Sequence, residues 1–468
     1  MEENMANKLK QTDNYFPHFL LLFIVFQPIL DLLTSFSIYI LHMSATVGVV
    51  VRFAFMLLAL GYLLFHIKKS GNRKYIIYLI LLGIVLGIGL INNMIVKSPV
   101  SFSEEVKFIL KSVYPFVLLF GYIIVFKELK DQTDTYNKLI TYFLYTTIIL
   151  SIVMIVSMAT GTDFPSYPHS KIGSRGWFFA GNDLSAIFAI MFPIVVLYSI
   201  HKTTSFSKIY YWIPTLLAMY ASIMVGTKVG YGAIVVTLGI ALFFSFIEYM
   251  MNRKKEGKGF PQLVNTIVAL VVLAGLGVLT PLTPIAKNMG IHLQIYEYKK
   301  ALREEQERKE GKVVKEDPDE VKKHAQGELT DSEVKSLIYS DRDKFLKVYQ
   351  GYYKEAPLSQ KLFGMGYAGN YTKKIKLIEM DFHDIFFAFG IIGFLIYFIP
   401  LLYFGVRLLI RFLANFKQML TVKYTLLAST ILLSLGIGFI SGHVLTAPSV
   451  SIFFVVILAY LIVDLRAE

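Results

Sequence analysis

The stretch YIIYLILLGIVLGIGLINNMIV, residues 75–96, runs for 22 residues without a charged side chain. A helix rises about 1.5 Å per residue, so about 20 such residues cross the roughly 30 Å hydrocarbon layer of a bilayer. Inside hydrocarbon a single segment satisfies its own backbone amides only as a helix. The stretch therefore predicts a membrane-spanning helix. Reading outward, eleven more apolar runs follow the same pattern: Phe16–Leu41, Val47–Ile67, Phe108–Phe126, Leu139–Ala159, Trp177–Ile200, Tyr210–Val225, Val229–Met250, Leu263–Leu282, Ile385–Leu409, Tyr424–Ile440 and Val450–Val463. The expected fold is an all-α polytopic membrane protein of about twelve transmembrane helices. The seventh and last runs are marginal, which leaves room for eleven or thirteen.

One segment breaks the pattern. Residues 283–382 are hydrophilic, dividing the chain into nine spans (1–282), a large loop with amphipathic helices (283–382) and three spans (383–468). Apolar residues make up 55% of the chain, which excludes an ordinary soluble domain and disorder alike. The net charge of +13 is what basic cytoplasmic loops supply in a membrane protein, so it does not argue for nucleic-acid binding. The sequence carries no Walker or Rossmann glycine pattern. Zero cysteines exclude disulfides, thiolate metal sites and cysteine nucleophiles. The first apolar run is too long for the core of a cleavable signal peptide.

Lys and Arg in the short loops set the expected orientation. With the N-terminus inside, every basic cluster is cytoplasmic: Lys68, Lys69, Arg73 and Lys74; Lys127 and Lys130; Lys202 and Lys208; Arg253, Lys254, Lys255 and Lys258; Arg407, Arg411, Lys417 and Lys423. Both termini are then cytoplasmic, and the large loop, residues 161–176 and the turn at His443 face outward. Within the large loop, Lys299–Lys323 reads as a solvated helix and tether. Ser340–Tyr353 reads as an amphipathic helix with Phe345, Leu346, Val348, Tyr349 and Tyr352 on its apolar face, lying on the membrane or on the rest of the loop. Lys361–Asn370, with three glycines, reads as a turn. No internal repeat is visible, which weighs against a transporter.

Few residues can carry chemistry. Arg175 lies in Lys171-Ile-Gly-Ser-Arg-Gly-Trp-Phe-Phe-Ala-Gly-Asn182, an exterior loop entering a span. A guanidinium beside glycines suits an anionic headgroup such as pyrophosphate, and equally a snorkelling anchor. Lys228 in Gly226-Thr-Lys-Val-Gly230 is flanked by glycines that imply close packing; it too either binds a substrate anion or reaches lipid phosphates. Arg342, between Asp341 and Asp343, opens the amphipathic helix, where a local ion pair is the plainer reading.

Glu379-Met-Asp-Phe-His383-Asp384 precedes the tenth span. Glu379 and His383, four apart, would share one face of a helix, and either could draw a proton from a sugar hydroxyl. Asp381 and Asp384 read as a solvated cap, with Asp381 a secondary candidate. His443 and His169 are lone exterior histidines, His443 being the other secondary candidate. Asp31 and Arg52, ionisable inside the first two spans, need partners and read as a pair, structural or lining a substrate cavity. Asp317-Pro-Asp319 has the spacing of a metal-binding motif of sugar-nucleotide enzymes, but sits in a mixed-charge run on the side without nucleotide sugars. No metal site is expected.

At these residues the chain resembles the O-antigen ligase and polymerase superfamily of bacterial polysaccharide enzymes, and within it the exopolysaccharide and teichuronic-acid polymerases of Gram-positive bacteria. The pieces that carry the resemblance are Gln27-Pro-Ile-Leu-Asp31, Arg52, Gly176-Trp-Phe-Phe-Ala-Gly-Asn182, Gly226-Thr-Lys228, Arg342, Leu362-Phe-Gly-Met-Gly-Tyr367, Gly390-Ile-Ile-Gly393 and Ser441-Gly-His443, in that order. The resemblance implies a GT-C-like helical fold whose loop caps an outward cavity in the bacterial plasma membrane. It implies glycan transfer from an undecaprenyl-pyrophosphate donor to an acceptor hydroxyl, without a cofactor, most simply polymerising repeat units. A ligase attaching finished glycan is the near alternative, and a lipid-linked oligosaccharide flippase the alternative of another class. The implied partners are the lipid-linked donor, the glycan acceptor, membrane lipid and other polysaccharide-assembly proteins, with no nucleic acid. Arg175 and Arg342 fit the family's pyrophosphate-holding arginines, and Lys228 stands where relatives carry Arg. The family places a histidine eleven residues before the first Gly of Gly-x-x-Gly; here that position is Glu379, and His383 lies seven before. Either Glu379 replaces the base or His383 serves, and register against the span favours Glu379.

Overall fold

The computed structural model describes residues 2–43, 46–69, 71–130, 132, 134–167, 170–253, 259–310, 323, 328–340, 342–372 and 376–466, with side chains from Tyr15 onward. Lys254, Lys255, Lys258, His169, Asp341 and the Asp317-Pro-Asp319 motif lie outside these residues.

Helices account for nearly every apolar run. They are α1 (Glu2–Tyr39), α2 (Val47–Phe65), α3 (Arg73–Val96), α4 (Phe102–Glu128), α5 (Thr135–Ala159), α6 (Gly181–Lys202), α7 (Ile213–Val225), α8 (Lys228–Asn252) and α9 (Phe260–Leu279). The large loop holds α10 (Pro284–Lys309), α11 (Asp331–Tyr339), α12 (Arg342–Glu355) and α13 (Leu358–Phe363). Then come α14 (Asp381–Ala414), α15 (Phe416–Met419), α16 (Val422–Ile440) and α17 (Pro448–Asp464). Among the described residues ten helices are long and apolar enough to span a bilayer. The two that fall short are the marginal runs: α7 with 13 residues and α17 with 17. For α7 the cause is local. Pro214 starts the helix, and Gly226, at φ +79°, ends it in the left-handed region.

The centre is set by helices that are apolar on every side. Such a helix has no face to give to water, so it packs inside. The C-terminal half of α4 and almost all of α6 and α17 are buried. Helix α17 packs on α4 and α6, and α6 also meets α5, α7, α8 and α16.

Polar contacts separate the two ends of the bundle. At one end Glu128 accepts from the Tyr62 hydroxyl (2.7 Å) and pairs with His66 (2.9 Å) and Lys69. Nearby, Asp464 accepts from Tyr424 (3.0 Å), and Lys423 sits over the Tyr136 ring (4.7 Å). Glu248 accepts from the Val422 amide (2.7 Å). These contacts gather the loops bearing the basic clusters. The opposite end carries residues 160–167, 170–180, 226–228, 441–447 and the described part of the large loop.

Helix α12 occupies the span expected of an amphipathic helix, and its face settles where it lies. Tyr349 is buried, with Phe345, Leu346 and Tyr352 partly so, against Ile378, Met380 and Phe387. Val348 points away and is exposed. The helix therefore packs on the rest of the loop and the start of α14. The segment Leu362–Tyr367, the end of α13 and the loop that follows it, is driven into α14 itself. Gly390 inside α14 has φ +67° and ψ −173°, which breaks the helix. The freed carbonyls of Phe387 and Ala388 accept from the amides of Met365 (2.8 Å) and Gly366 (3.1 Å). A broken span survives where neighbouring protein supplies such donors. A Cβ on Gly364 would stand 2.0 Å from the Ala388 carbonyl oxygen, so only glycine fits this crossing. A buried ion pair braces the same corner. Lys97 bonds Glu105 (2.8 Å) and the Tyr367 carbonyl (2.6 Å), while Glu105 accepts from the Tyr367 amide (2.7 Å).

Candidate functional site

Two of the cavities at the end of the bundle that bears the large loop share a wall. The first, about 770 Å³, is lined by Lys171, Lys228, Arg342 and Lys376 against the single carboxylate of Glu379, with His443 beside it. One flank is apolar, made by residues such as Val236, Ile240 and Leu433 of α8 and α16. The second, about 720 Å³, has the opposite character. Asp31, Glu104, Asp183, Glu379, Asp381 and Asp384 outnumber Arg52, Lys107 and Lys111 in its lining. Glu379 and His443 belong to the walls of both cavities.

Chain folding explains how the cationic residues meet. Residues 171–176 press on the α7–α8 turn: a Cβ on Gly173 would lie 2.4 Å from the Val225 carbonyl, and one on Gly226 2.6 Å from that of Ile172. Asn288 of α10 clamps the two segments, donating to the Ile172 (2.6 Å) and Gly226 (2.9 Å) carbonyls. The glycines around Lys228 do mark close packing. Lys228 is the first residue of α8, and its ammonium donates to the Leu337 carbonyl and to Ser340 (2.9 Å) at the C-terminal end of α11. A helix C-terminus attracts a cation there.

Arg342 pairs with Glu379 at 3.6 Å, a partner not expected from sequence; of the two flanking acids, Asp341 lies outside the described residues. Its Nε is buried and has no hydrogen-bond partner among the described residues. Burial draws its pKa down against the pull of Glu379 and Asp384; a guanidinium stays charged regardless. Lys376 reaches the other Glu379 oxygen at 2.5 Å. Arg175 stands apart from this group. Its guanidinium donates to the Phe179 carbonyl and the Tyr39 hydroxyl (2.8 Å), lies over the Phe164 ring, and is in the lining of neither cavity.

The expectation that Glu379 and His383 share a helical face is corrected. Glu379 has φ +64° and precedes α14, so no helical register connects them. His383 faces a separate hollow with Tyr353 and Phe386. Nor are Asp381 and Asp384 a solvated cap: they are 1% and 5% exposed. Asp384 accepts from the Ile378 and Met380 amides (both 3.0 Å), fixing the turn that carries Glu379. Asp381 accepts from the amides of His443 (3.2 Å), Val444 (2.8 Å) and Leu445 (2.7 Å) and the Thr446 hydroxyl (2.7 Å). These are the bonds that hold the His443 loop against α14. Gly442 makes that contact possible, since a Cβ there would lie 2.8 Å from the Glu379 backbone.

His443 has a partner that sequence reasoning missed. Its Nδ1 donates to Asp183 (3.0 Å), and Asp183 also accepts from the Ser449 hydroxyl (2.9 Å). Nε2 is buried without a partner among the described residues. Burial pushes the pKa of His443 down. The bond to Asp183 and the charges of Asp183, Asp381 and Glu379 outweigh burial and raise it above 6.5. Asp183 follows Asn182 directly, and an acid in the first turn of a span was the available signal. Asp31 and Arg52 are paired as expected, at 2.7 Å, with Gln27 accepting from Arg52 Nε (2.9 Å). Among the described residues no group of three His, Asp or Glu side chains could hold a metal ion.

Comparison with known families adds one decisive finding. The family described as O-antigen ligase like membrane protein matches residues 13–468. The chain belongs to that family. No curated protein and no solved structure matches it. Membership makes this O-antigen ligase-like chain a multi-pass membrane protein of glycan processing, a glycosyltransferase-type enzyme of the ligase or polymerase kind. A lipid-linked glycan donor and a glycan acceptor within the membrane are what the family implies as its substrates.

Proposed function

We propose that the chain transfers glycan from an undecaprenyl-pyrophosphate carrier to an acceptor sugar hydroxyl at the outer face of a bacterial plasma membrane, polymerising cell-surface polysaccharide units. The observation carrying this reading is the first cavity, where four cations face one carboxylate beside an apolar flank, a surface of the kind a lipid tail covers. A pyrophosphate leaves readily once fixed donors stabilise the charge that develops on it. Arg342, with an unused Nε, is the main grip, assisted by Lys228, Lys171 and Lys376. Arg175, whose Nε is also without a partner among the described residues, lines neither cavity and is held by Tyr39 and Phe179, so its loss costs less than that of Arg342. The acid-rich second cavity suits the acceptor, because carboxylates accept from sugar hydroxyls. Holding both substrates on either side of one wall lowers the entropic barrier to their reaction.

The orientation we infer has both termini cytoplasmic and the large loop outside; the basic loops gather at the end opposite the cavities. A flippase would need ionisable groups along the whole path, whereas those lining the two cavities lie at one end and the Glu128 and Asp464 clusters at the other. The test uses purified protein, undecaprenyl pyrophosphate as binding probe, and lipid-linked glycan extracted from the cells that make the protein. Arg342→Ala should weaken binding of the probe by roughly 10- to 150-fold, the value of one or two charge-assisted bonds. A ladder of lengthening products marks a polymerase, and a single addition marks a ligase. Unchanged binding in Arg342→Ala contradicts the assignment of the cationic cavity.

A further inference from the structure

We propose that His443, positioned by Asp183, is the catalytic base that takes the proton from the acceptor hydroxyl. The proposal rests on the transfer reading above and adds to it the residue that activates the acceptor. Three side chains are candidates. Glu379 has one oxygen 2.5 Å from Lys376 and the other 3.6 Å from Arg342. Both carboxylate oxygens are thus already engaged by cations, and its place is that of a stand-in for substrate anion. His383 opens on the separate hollow beside Tyr353, away from both cavities. His443 alone combines a seat in the shared wall, an orienting carboxylate on Nδ1 and an unpartnered Nε2.

The arrangement has the logic of a base held by a third group. With Nδ1–H given to Asp183, the Nε2 lone pair is the one left for chemistry, and Asp183 stabilises the imidazolium that forms. The backbone fixes the ring from behind: His443 has φ +64°, and its amide is bonded to Asp381. In the step, the acceptor O–H proton passes to Nε2 as the acceptor oxygen bonds to the anomeric carbon of the donor glycan. The bond from that carbon to the pyrophosphate oxygen breaks, and its electron pair leaves with undecaprenyl pyrophosphate. The imidazolium then returns its proton to water. Asp183 touches no reacting atom and is a positioning residue.

His443→Asn is the informative variant. Asn tolerates the left-handed region and keeps a donor near Nδ1 for Asp183, but has nothing at Nε2. The measurements are undecaprenyl pyrophosphate binding and transfer from extracted lipid-linked glycan, scored as undecaprenyl pyrophosphate released. His443→Asn should bind the probe within about twofold of the parent while transfer falls about 100-fold or more, the usual worth of a general base. Asp183→Asn should fall less, with the rise of rate with pH moved to lower pH as His443 loses its raising partner. Transfer in His443→Asn within about tenfold of the parent overturns the proposal. Joint loss of binding and transfer also overturns it, by assigning His443 to holding the cavity. If the parent itself fails to bind the probe or to release it, the transfer reading fails, whatever His443 does.

Discussion

Replacing Asp381 by Asn tests the most heavily bonded carboxylate near the site. One oxygen accepts from the Val444 and Leu445 amides, the other from the His443 amide and the Thr446 hydroxyl. An amide keeps only one accepting oxygen. It does best to leave that oxygen toward Val444 and Leu445, where the bonds are shortest, and turn its NH2 toward His443 and Thr446. The Thr446 hydroxyl can rotate and accept, but the His443 N–H then meets another donor. One buried N–H stranded costs about 1–3 kcal/mol, and two bonds weakened from a charged to a neutral acceptor add about 1 kcal/mol, so Asp381→Asn should lose roughly 2–4 kcal/mol. Unfolding in mixed micelles with increasing dodecyl sulfate measures this, with Asp134→Asn, from an exposed pair at 4.0 Å, as the neutral control. A loss below about 0.5 kcal/mol, the level of surface changes, would refute the claim that this carboxylate anchors the His443 loop.

Gly364→Ala places a side chain at φ +93° and 2.0 Å from a carbonyl oxygen, and should destabilise by about 2–5 kcal/mol, whereas Gly351→Ala, in open space on α12, should stabilise by about 0.5–1 kcal/mol; the same titration separates them. Lys97→Met leaves Glu105 buried and unpaired and should cost about 3–5 kcal/mol, with Lys97→Met combined with Glu105→Leu recovering part of it in a double-mutant cycle. The pKa of His443 is raised on folding, so its contribution to stability is fully present below about 6.5 and is lost as pH rises through the raised value. The stability gap between the parent and His443→Asn should therefore narrow from pH 6 toward alkaline pH; a gap that widens contradicts the Asp183 pairing.

Much of this was legible because it is local. Apolar runs set the helices, the spacing of Tyr349 and Tyr352 set the buried face of α12, and two lone charges in adjacent spans found each other as Asp31 and Arg52. The misses share a different cause. Glu379 looked helical because it sits four residues before His383, yet Asp384, bonding back to Ile378 and Met380, fixes a non-helical turn there. The bond between Asp183 and His443 joins residues 260 apart, brought together by the packing of α6 against α16 and α17. Gly390-Ile-Ile-Gly393 could be read as a motif, but not as a broken helix, because the donors that make the break tolerable arrive from residues 365 and 366.

That crossing decides how the cap can behave mechanically. Peeling residues 362–367 away from the bundle would strand two carbonyls of a membrane helix and uncover the Lys97–Glu105 pair in the same motion. Such a penalty falls due all at once, with no gradual path. This corner of the cap is accordingly a weld rather than a flap, and any breathing of the loop during turnover is confined to segments farther along the chain from it.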